Sequence, residues 1–144
     1  MAKIKKPYSK CVDLPNSKSP TYRTWHHMRE RCYKKNCKKF DYYGGRGISV
    51  CKCWDKFENF YKDMGEKPKG MTLDRIDNNG NYCKENCRWA TYKEQANNKS
   101  NNRIIKYNGE KKTLSQFADD FGIKQNTLLY RIKRGWNIKR ALNG

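Results

Sequence analysis

One short stretch of this chain fixes the order of its secondary structure more firmly than any other. Met71 to Asp74 reads as a strand that ends in an acid, and the run Asn78-Asn-Gly80 after it is typical of a tight turn. A second strand is predicted over Cys87 to Trp89. The sequence from Thr91 matches a capping box, so a helix is expected to begin there. The stretch therefore predicts a ββα unit in which a carboxylate at a strand end faces amides on the next helix.

Two amphipathic helices and a loop precede this unit. The first helix is predicted to begin at Ser19-Pro20, where a serine cap is followed by proline at the first helical position. Residues 33–47 form a basic loop rich in tyrosine and glycine, and Ile48 to Cys51 is expected to be a short strand. Gly65 is a natural stop for the second helix. The apolar positions at helical spacing are Tyr22, Trp25, Met28 and Cys32 in the first helix and Trp54, Phe57, Tyr61 and Met64 in the second.

The last third of the chain has a different character. Ile104 to Tyr107 and Glu110 to Lys112 are predicted strands, joined by Asn108-Gly109, the favoured two-residue turn of a β-hairpin. Thr113 opens a second capping box, and two short apolar stripes separated by Gly122-Ile123 then predict a helix-turn-helix. The stripes consist of Leu114, Phe117, Ala118 and Phe121, and of Leu128, Leu129 and Ile132, with Trp136, Ile138 and Leu142 closing the core.

These elements predict an α+β fold in three segments. Residues 1–20 are expected to be a flexible basic arm, residues 21–102 a ββα domain with flanking helices, and residues 103–144 a β-hairpin plus helix-turn-helix domain. Hydrophobic residues make up only 35% of the chain, which approaches the composition of disordered proteins. Four Trp, ten Tyr and five Phe compensate, because each aromatic ring buries a large area. We therefore expect a small, aromatic core.

The charge of the chain indicates a polyanionic partner. The formal net charge is +19, from 33 Lys and Arg against 14 Asp and Glu. Residues 103–144 hold 10 basic and 3 acidic side chains, a net charge of +7, and residues 1–102 hold the other +12. Such a charge repels itself unless a partner neutralises it, and nucleic acid is the usual partner. The alternative is a basic surface that only keeps the protein in solution.

The seven cysteines are expected to be free thiols. No apolar run approaches the roughly 20 residues that cross a bilayer, and no signal peptide is recognisable, so we expect no membrane partner and a reducing cytoplasm. Zinc is commonly held by two short-spaced cysteine pairs, but the Cys-x-x-Cys spacing does not occur in this sequence. The spacing favours cysteines that act as small buried hydrophobes. The alternative is a structural Zn²⁺ held by Cys32, Cys51, Cys83 and Cys87.

The ββα stretch resembles the metal-binding hairpin of HNH (His-Me finger) endonucleases. The resemblance rests on Leu73-Asp-Arg-Ile-Asp-Asn, Asn86-Cys-Arg-Trp-Ala-Thr and Gly44-Gly-Arg-Gly-Ile, which look typical of small phage and intron-homing enzymes. The tail from Tyr107 to Trp136 is similar to the helix-turn-helix appended to such enzymes, so the likeness covers residues 20–142. It implies hydrolysis of DNA phosphodiester bonds with Mg²⁺ or Mn²⁺ as cofactor.

The resemblance implies roles for individual residues. In that family the first strand ends in Asp-His: the Asp ligates the metal, and the His takes a proton from the attacking water. Asp74 falls at the metal-ligand position, and Asn86 matches the asparagine that pins the loop. Gln95, with Asn98 one turn later, falls on or near the metal-binding residue of the helix. Their amide oxygens suit Mg²⁺, a hard cation that accepts oxygen donors.

Arg75 departs from the family pattern at the position of the general base. An arginine stays protonated near neutral pH, so it cannot accept a proton. Three interpretations stay open. In the first, the general base lies elsewhere, at His26, His27, Asp77 or a metal-bound hydroxide. In the second, Arg75 grips the scissile phosphate and cleavage proceeds at a lower rate without a base. In the third, catalysis is lost and the chain only binds DNA. An Asx-type turn around Asn78-Asn79-Gly80 is the structural alternative for both Asp74 and Asp77, and it is the preferred interpretation for Asp77 alone.

Contacts with DNA are expected from the tail and from three positions outside it. A recognition helix reads the major groove with its N-terminal residues; Asn and Gln pair with adenine edges, and Arg pairs with guanine or phosphate. The candidate contacts are Lys124, Gln125, Asn126, Thr127, Tyr130, Arg131 and Arg134 in the tail, and Arg46, Arg88 and Lys99 outside it. The alternatives are a helical pair that packs on a protein partner, and a solvated loop at residues 33–46.

The resemblance therefore implies a phage-type, homing-like, metal-dependent DNA endonuclease whose site is selected by the helix-turn-helix. Its expected partner is double-stranded DNA, with no small-molecule substrate, and it is expected to be a monomer or weak homodimer in the cytoplasm (of a bacterial host, if phage-encoded). One such site cuts one strand, so a monomer would nick. Two other functions stay open: a catalytically inactive, sequence-specific DNA-binding protein on the same scaffold, and an RNA-binding protein, which the Tyr and Arg content suggests.

Overall fold

The structure is a computed structural model that describes residues 14–144. It confirms the predicted α+β class. The chain divides into two compact units, Met1–Trp89 and Ala90–Gly144. Most of the predicted basic arm, residues 1–13, lies outside the described residues. Within residues 14–144, no helix combines the length and the apolar character needed to span a bilayer.

The first unit begins with helix α1 (Pro20–Tyr33), which starts where the sequence predicts. The Ser19 hydroxyl accepts a hydrogen bond of 3.1 Å from the Tyr22 amide, and the proline stands in the first turn. Helix α2 (Phe57–Met64) ends at Gly65, whose φ of 67° is left-handed. Strands β1 (Met71–Arg75) and β2 (Cys87–Thr91) pair in a two-stranded sheet. Short 3-10 turns lie at Phe40–Tyr42, Gly44–Arg46 and Lys52–Asp55.

The aromatic core predicted from the composition is confirmed in this unit. Met28, Trp54 and Phe60 are fully buried, and the rings of Trp54 and Phe60 meet edge to face at 4.9 Å between centroids. The Trp54 indole donates a hydrogen bond of 2.8 Å to the Asp63 carboxylate, so its N–H is not left unpaired. Trp25 donates to the Trp54 carbonyl at 2.8 Å. These bonds fix α1 and α2 around one tryptophan.

The predicted strand at Ile48 to Cys51 is wrong. Val50 forms only an isolated parallel bridge with Tyr82. The Cys51 amide donates to the Tyr82 carbonyl at 2.8 Å, and the Tyr82 amide donates to the Ser49 carbonyl at 2.9 Å. The ladder stops there because a 3-10 turn begins at the next residue. The segment instead ties itself to the loop between β1 and β2.

The second unit carries both predicted capping boxes. The hydroxyls of Thr91 and Thr113 each accept a hydrogen bond of 3.2 Å, from the amides of Glu94 and Gln116. The Glu94 and Gln116 side chains accept in return from the threonine amides, at 2.7 and 2.8 Å. The elements are α3 (Tyr92–Asn97), β3 (Ile104–Tyr107), β4 (Glu110–Thr113), α4 (Leu114–Asp120), α5 (Gln125–Lys133) and α6 (Ile138–Asn143).

The predicted hairpin and helix-turn-helix are confirmed. Strands β3 and β4 pair antiparallel, with Tyr107 opposite Glu110, and Asn108 and Gly109 have φ values of 50° and 81°. Two positive φ values suit the right-handed twist of a tight hairpin. The hairpin and helices α4, α5 and α6 share one apolar core, which consists of Ile105, Leu114, Phe117, Ala118, Leu128, Ala141 and Leu142.

Helix α3 is short and belongs to the second unit. It ends at Asn97, and Asn98 is its C-cap rather than a position inside the helix. The Asn97 side chain accepts a hydrogen bond of 2.9 Å from Thr113, and Lys93 pairs with Asp119 at 2.8 Å. These contacts attach α3 to the tail, so the division between the compact units falls after Trp89, earlier than the predicted boundary at residue 102.

Candidate functional site

Asp74, the predicted metal ligand, is buried in an ion pair. The residue is 5% exposed, and its Oδ2 accepts hydrogen bonds from both Nε and Nη2 of Arg88, each at 3.3 Å. The pair joins β1 to β2, and 45% of the Arg88 side chain remains exposed. Arg88 was predicted to contact DNA; its guanidinium already neutralises the one carboxylate at the end of β1.

The surroundings of Asp74 in the first unit do not fit a resident divalent cation. Mg²⁺ is held by carboxylate oxygens together with water or other oxygens, and Arg88 already supplies positive charge at the ligand oxygen. Within residues 14–144, Asp74 belongs to no group of three His, Cys, Asp or Glu side chains at metal-binding spacing. The other two predicted ligands lie in the second unit, where Gln95 is half-buried on α3 and Asn98 is half-buried at its C-cap. Lys99 follows the helix and is exposed.

Arg75, expected to grip a phosphate, is held inside the first unit. The residue is 7% exposed, and its Nη1 donates a hydrogen bond of 2.8 Å to the Gly80 carbonyl. Its guanidinium carbon lies 5.1 Å from the Tyr43 ring and 4.9 Å from the Tyr82 ring. A guanidinium stacked on two rings and bonded to a loop carbonyl is an anchor for that loop. This geometry disagrees with the expected phosphate grip, because the side chain faces the loop and the rings rather than solvent.

Asn86 holds the loop between the strands, as the resemblance implies. Its Oδ1 accepts from the Asp77 amide at 2.8 Å, and its Nδ2 donates to the carbonyls of Asp77 and Asn81 at 3.1 and 3.0 Å. Asp77 forms an Asx turn, since its Oδ1 accepts from the Asn79 amide at 2.9 Å. The preferred interpretation of Asp77 is therefore confirmed. Asn86 satisfies three backbone groups that would otherwise need water.

Arg46 ties two loops together rather than standing free. Its Nη2 donates to Asn79 Oδ1 at 2.6 Å, and its Nη1 donates to the Tyr42 carbonyl at 3.4 Å. The adjacent turn requires glycine, because a Cβ on Gly44 would lie 2.0 Å from the Cys32 carbonyl oxygen. Arg46 is nevertheless an exposed residue.

The four cysteines proposed for zinc do not assemble a site in the part of the chain that the structure describes. No three of them bring their sulphur atoms to ligand spacing. Cys32 and Cys87 are buried, and burial raises the pKa of both thiols, that of Cys87 to about 12. The interpretation as small buried hydrophobes fits Cys32 and Cys87, which lie in the first core.

One group of candidate metal ligands was not predicted from the sequence. His26, His27 and Glu30 bring their ligand atoms within 4.8 Å of one another on α1. His26 Nδ1 lies 3.6 Å from Glu30, and Lys34 donates to the same carboxylate at 3.1 Å. The Lys34 hydrogen bond lowers the pKa of Glu30. The i, i+4 spacing of His26 and Glu30 was the available signal, but both histidines face solvent and a lysine competes for the carboxylate.

Helix α5 presents its predicted recognition residues to solvent. Gln125, Asn126 and Thr127 are exposed in its first turn, while Leu128 is fully buried beneath them. No acidic residue occurs in the helix. Tyr130 is 59% exposed, and the Arg134 guanidinium lies 5.2 Å from its ring. The exposed surface of α5 is therefore polar, aromatic and basic. Lys124, also exposed, stands at the N-cap.

Arg131 is the exception among the predicted contacts on α5. Its Nη1 donates a hydrogen bond of 2.9 Å to the Ala141 carbonyl, and its guanidinium lies 5.5 Å from the Trp136 ring. Arg140 covers the same ring at 4.2 Å. Arg131 therefore connects α5 to α6, and this role disagrees with the expected DNA contact. Arg131 follows the exposed Tyr130 directly, and adjacent residues of a helix lie on different faces, so Arg131 lies on the face of α5 that contacts α6.

The chain matches no protein-family model, no curated protein and no solved structure. The likeness to HNH endonucleases therefore rests on the motif residues alone. Asn86 makes the loop contacts that the likeness implies. Asp74 and Arg75 instead make contacts within the first unit.

Proposed function

We propose that this protein binds double-stranded DNA and that α5 enters the major groove. The observation that carries the proposal is the surface of that helix. Gln125, Asn126 and Thr127 are exposed at its N-terminus, and the buried Leu128 fixes their orientation on the core of the second unit. Side-chain amides at such positions pair with the N6 and N7 edge of adenine.

The charge around α5 supports a nucleic acid rather than a protein partner. Residues 103–144 carry a net charge of +7, and α5 itself has no acidic residue. Lys124 and Arg134 are exposed near its two ends, where they suit phosphate groups on either side of a groove. Each phosphate that they neutralise releases counterions, so binding is expected to weaken steeply as salt rises.

Fluorescence anisotropy with a labelled duplex tests this proposal directly. We expect Kd to rise by at least about 30-fold between about 50 and 200 mM NaCl. The double variant Gln125→Ala/Asn126→Ala should lose affinity for a preferred sequence, because each bidentate base contact contributes about 1–3 kcal/mol. Asn101→Ala is the matched control, since Asn101 is an exposed amide of the same unit outside α5. The absence of duplex binding at low salt would refute the proposal, and preference for a structured RNA competitor would favour the RNA alternative.

Metal-dependent strand cleavage is the second candidate function. The observation that favours it is the network of Asn86, which holds the loop of the ββα hairpin as the HNH resemblance implies. Cleavage would require the Asp74 carboxylate to be released from Arg88.

A plasmid assay with Mg²⁺ or Mn²⁺ separates cleavage from binding alone. Nicking of supercoiled DNA that is lost in Asp74→Asn but kept in Asp41→Asn would support the second function. Asp41→Asn is the matched control, because Asp41 is an exposed carboxylate of the same unit outside the hairpin. Tight binding with no nicking by either metal leaves DNA binding as the function.

A further inference from the structure

Two arginines and two tyrosines of the first unit form one cluster. The Arg31 guanidinium carbon lies 4.8 Å from the Tyr43 ring and 5.3 Å from the Tyr82 ring. Arg75 lies 5.1 and 4.9 Å from the same two rings. The rings are nearly parallel, at 22°, with centroids 6.3 Å apart. We call Arg31, Tyr43, Arg75 and Tyr82 the arginine–tyrosine cluster.

The two arginines of the cluster differ in their hydrogen bonds. Arg75 donates to the Gly80 carbonyl at 2.8 Å. The guanidinium of Arg31 has no hydrogen-bond acceptor and no carboxylate partner among residues 14–144, and its Nε is buried without a partner. A buried N–H without an acceptor is destabilising. Two like charges held beside the same rings add repulsion.

The charge and the hydrogen-bond donors of this cluster match an anion with oxygen acceptors. The rings of Tyr43 and Tyr82, 4.8 and 5.3 Å from the Arg31 guanidinium carbon, restrict the movement of this side chain before any ligand arrives. Arg31 is half-buried rather than enclosed, so a ligand can reach it from solvent. An oxyanion that reaches the guanidinium from solvent would offset the repulsion between the two arginines.

We propose that the arginine–tyrosine cluster binds a phosphate group and that Arg31 is its direct ligand. This inference rests on the proposed function, because the phosphate belongs to the backbone of bound DNA. The first unit would hold that phosphate independently of α5. The contact would add affinity without sequence information. Arg75 would support the site by holding the loop and the rings in place.

Arg29 is a matched control on the same helix. Its guanidinium also lies over aromatic rings, 5.3 Å from Trp25 and 6.0 Å from Tyr33. Unlike Arg31, it donates to the Asp55 carbonyl and carboxylate, at 2.8 and 3.1 Å. Because the Arg29 guanidinium already has hydrogen-bond acceptors and a carboxylate partner, we expect it not to bind an anion.

The first experiment titrates the ¹⁵N-labelled full chain with inorganic phosphate at constant ionic strength, and follows the arginine Nε–Hε signals. We expect a saturable shift of the Arg31 signal and no comparable shift of the Arg29 signal. The Arg31 signal is identified by its absence in Arg31→Met. No saturable shift, or equal shifts of both arginines, would overturn the proposal.

The second experiment compares Arg31→Met and Arg29→Met in duplex binding and in thermal unfolding. Arg31→Met should lower the slope of log Kd against log salt by about 1, whereas Arg29→Met should leave the slope unchanged. The thermal midpoint of Arg31→Met should be unchanged or higher, because the orphan donor and the repulsion disappear. A lower midpoint with unchanged DNA affinity would make Arg31 a packing residue and overturn the proposal.

The outcomes separate this inference from the proposed function. If the wild type binds no duplex, the proposed function fails, while a saturable Arg31 response still supports a site for free phosphate. If the wild type binds duplex but the slope is the same in Arg31→Met, a phosphate response reports an adventitious ion only, and the inference fails.

Discussion

The loop between β1 and β2 is expected to depend on the fit between Asn86 and Gly80. Asn86→Ala removes three hydrogen bonds to backbone groups. Each is worth about 0.5–1.5 kcal/mol, but water replaces part of this in a half-exposed loop, so we expect a loss of about 1–3 kcal/mol. Gly80 is the second partner, because a Cβ placed on it would lie 2.6 Å from Asn86 Nδ2 and 3.3 Å from its Cγ.

The two substitutions should therefore be strongly coupled. Nδ2 is held by two carbonyls and cannot retreat without losing them, so Gly80→Ala should cost about 1–2 kcal/mol in the wild type. In the Asn86→Ala background the nearest remaining atom is the Asp77 carbonyl oxygen at 3.4 Å, an ordinary contact. Gly80 does not have a positive φ, so alanine there should be neutral or stabilise by about 0.4–1 kcal/mol.

Urea unfolding of the four chains of this double-mutant cycle provides the measurement. Trp136→Phe in every chain removes the one tryptophan of the second unit, so fluorescence then reports Trp25, Trp54 and Trp89 of the first. We expect a coupling free energy of about 1–2 kcal/mol or more. Equal costs of Gly80→Ala in both backgrounds, or a cost of Asn86→Ala below about 0.5 kcal/mol, would refute the reasoning.

Arg131→Ala should lower the unfolding free energy of the second unit by about 1–2 kcal/mol, because Arg131 connects α5 to α6. Arg134→Ala should change that free energy by less than about 0.5 kcal/mol and should weaken DNA binding. Urea unfolding measures the stability and fluorescence anisotropy measures the binding; equal behaviour of the two variants in both assays would contradict the prediction. Iodoacetamide at about pH 8 should alkylate the exposed Cys53 and leave Cys87, with a pKa of about 12, protected until unfolding; peptide mass spectrometry that finds equal modification would contradict it. Burial raises the pKa of Cys87 from 9.0 and that of Tyr82 above its ordinary value, so the folded chain retains protons that the unfolded chain releases. The unfolding free energy should therefore fall as pH rises above 9.0, and it should fall less steeply in Cys87→Ala. Equal dependence of the unfolding free energy on pH in the two chains would contradict the prediction.

The elements that could be predicted from the sequence are those encoded by neighbouring residues. The capping boxes at Thr91 and Thr113 each involve residues three positions apart, and the turn at Asn108-Gly109 involves two adjacent residues. The Asx turn of Asp77 is equally local. Such signals do not depend on how distant segments pack, so the hairpin, the cap positions and the exposed turn of α5 follow from the sequence.

The roles of the charged residues at the site could not be predicted, because their partners are distant in the chain. Asp74 meets Arg88 only through the pairing of β1 with β2. Arg75 meets Tyr43 only because the glycine turn at residues 44–47 brings that loop against Tyr82. A sequence that supplies 33 basic residues offers many candidate phosphate ligands. Only the packing of the folded chain distinguishes an arginine that anchors a loop from one that can bind a phosphate.

The most direct test of DNA recognition by α5 is the specificity ratio of the chain. A preferred site is first selected from a random duplex library, and Kd is then measured for that site and for an unrelated duplex at the same salt concentration. We expect the wild type to prefer the selected site by at least about 10³-fold, and Gln125→Ala/Asn126→Ala to lose most of this preference while it retains non-specific affinity. An unchanged ratio in the double variant, or no enriched sequence in the wild type, would contradict recognition of DNA by this helix.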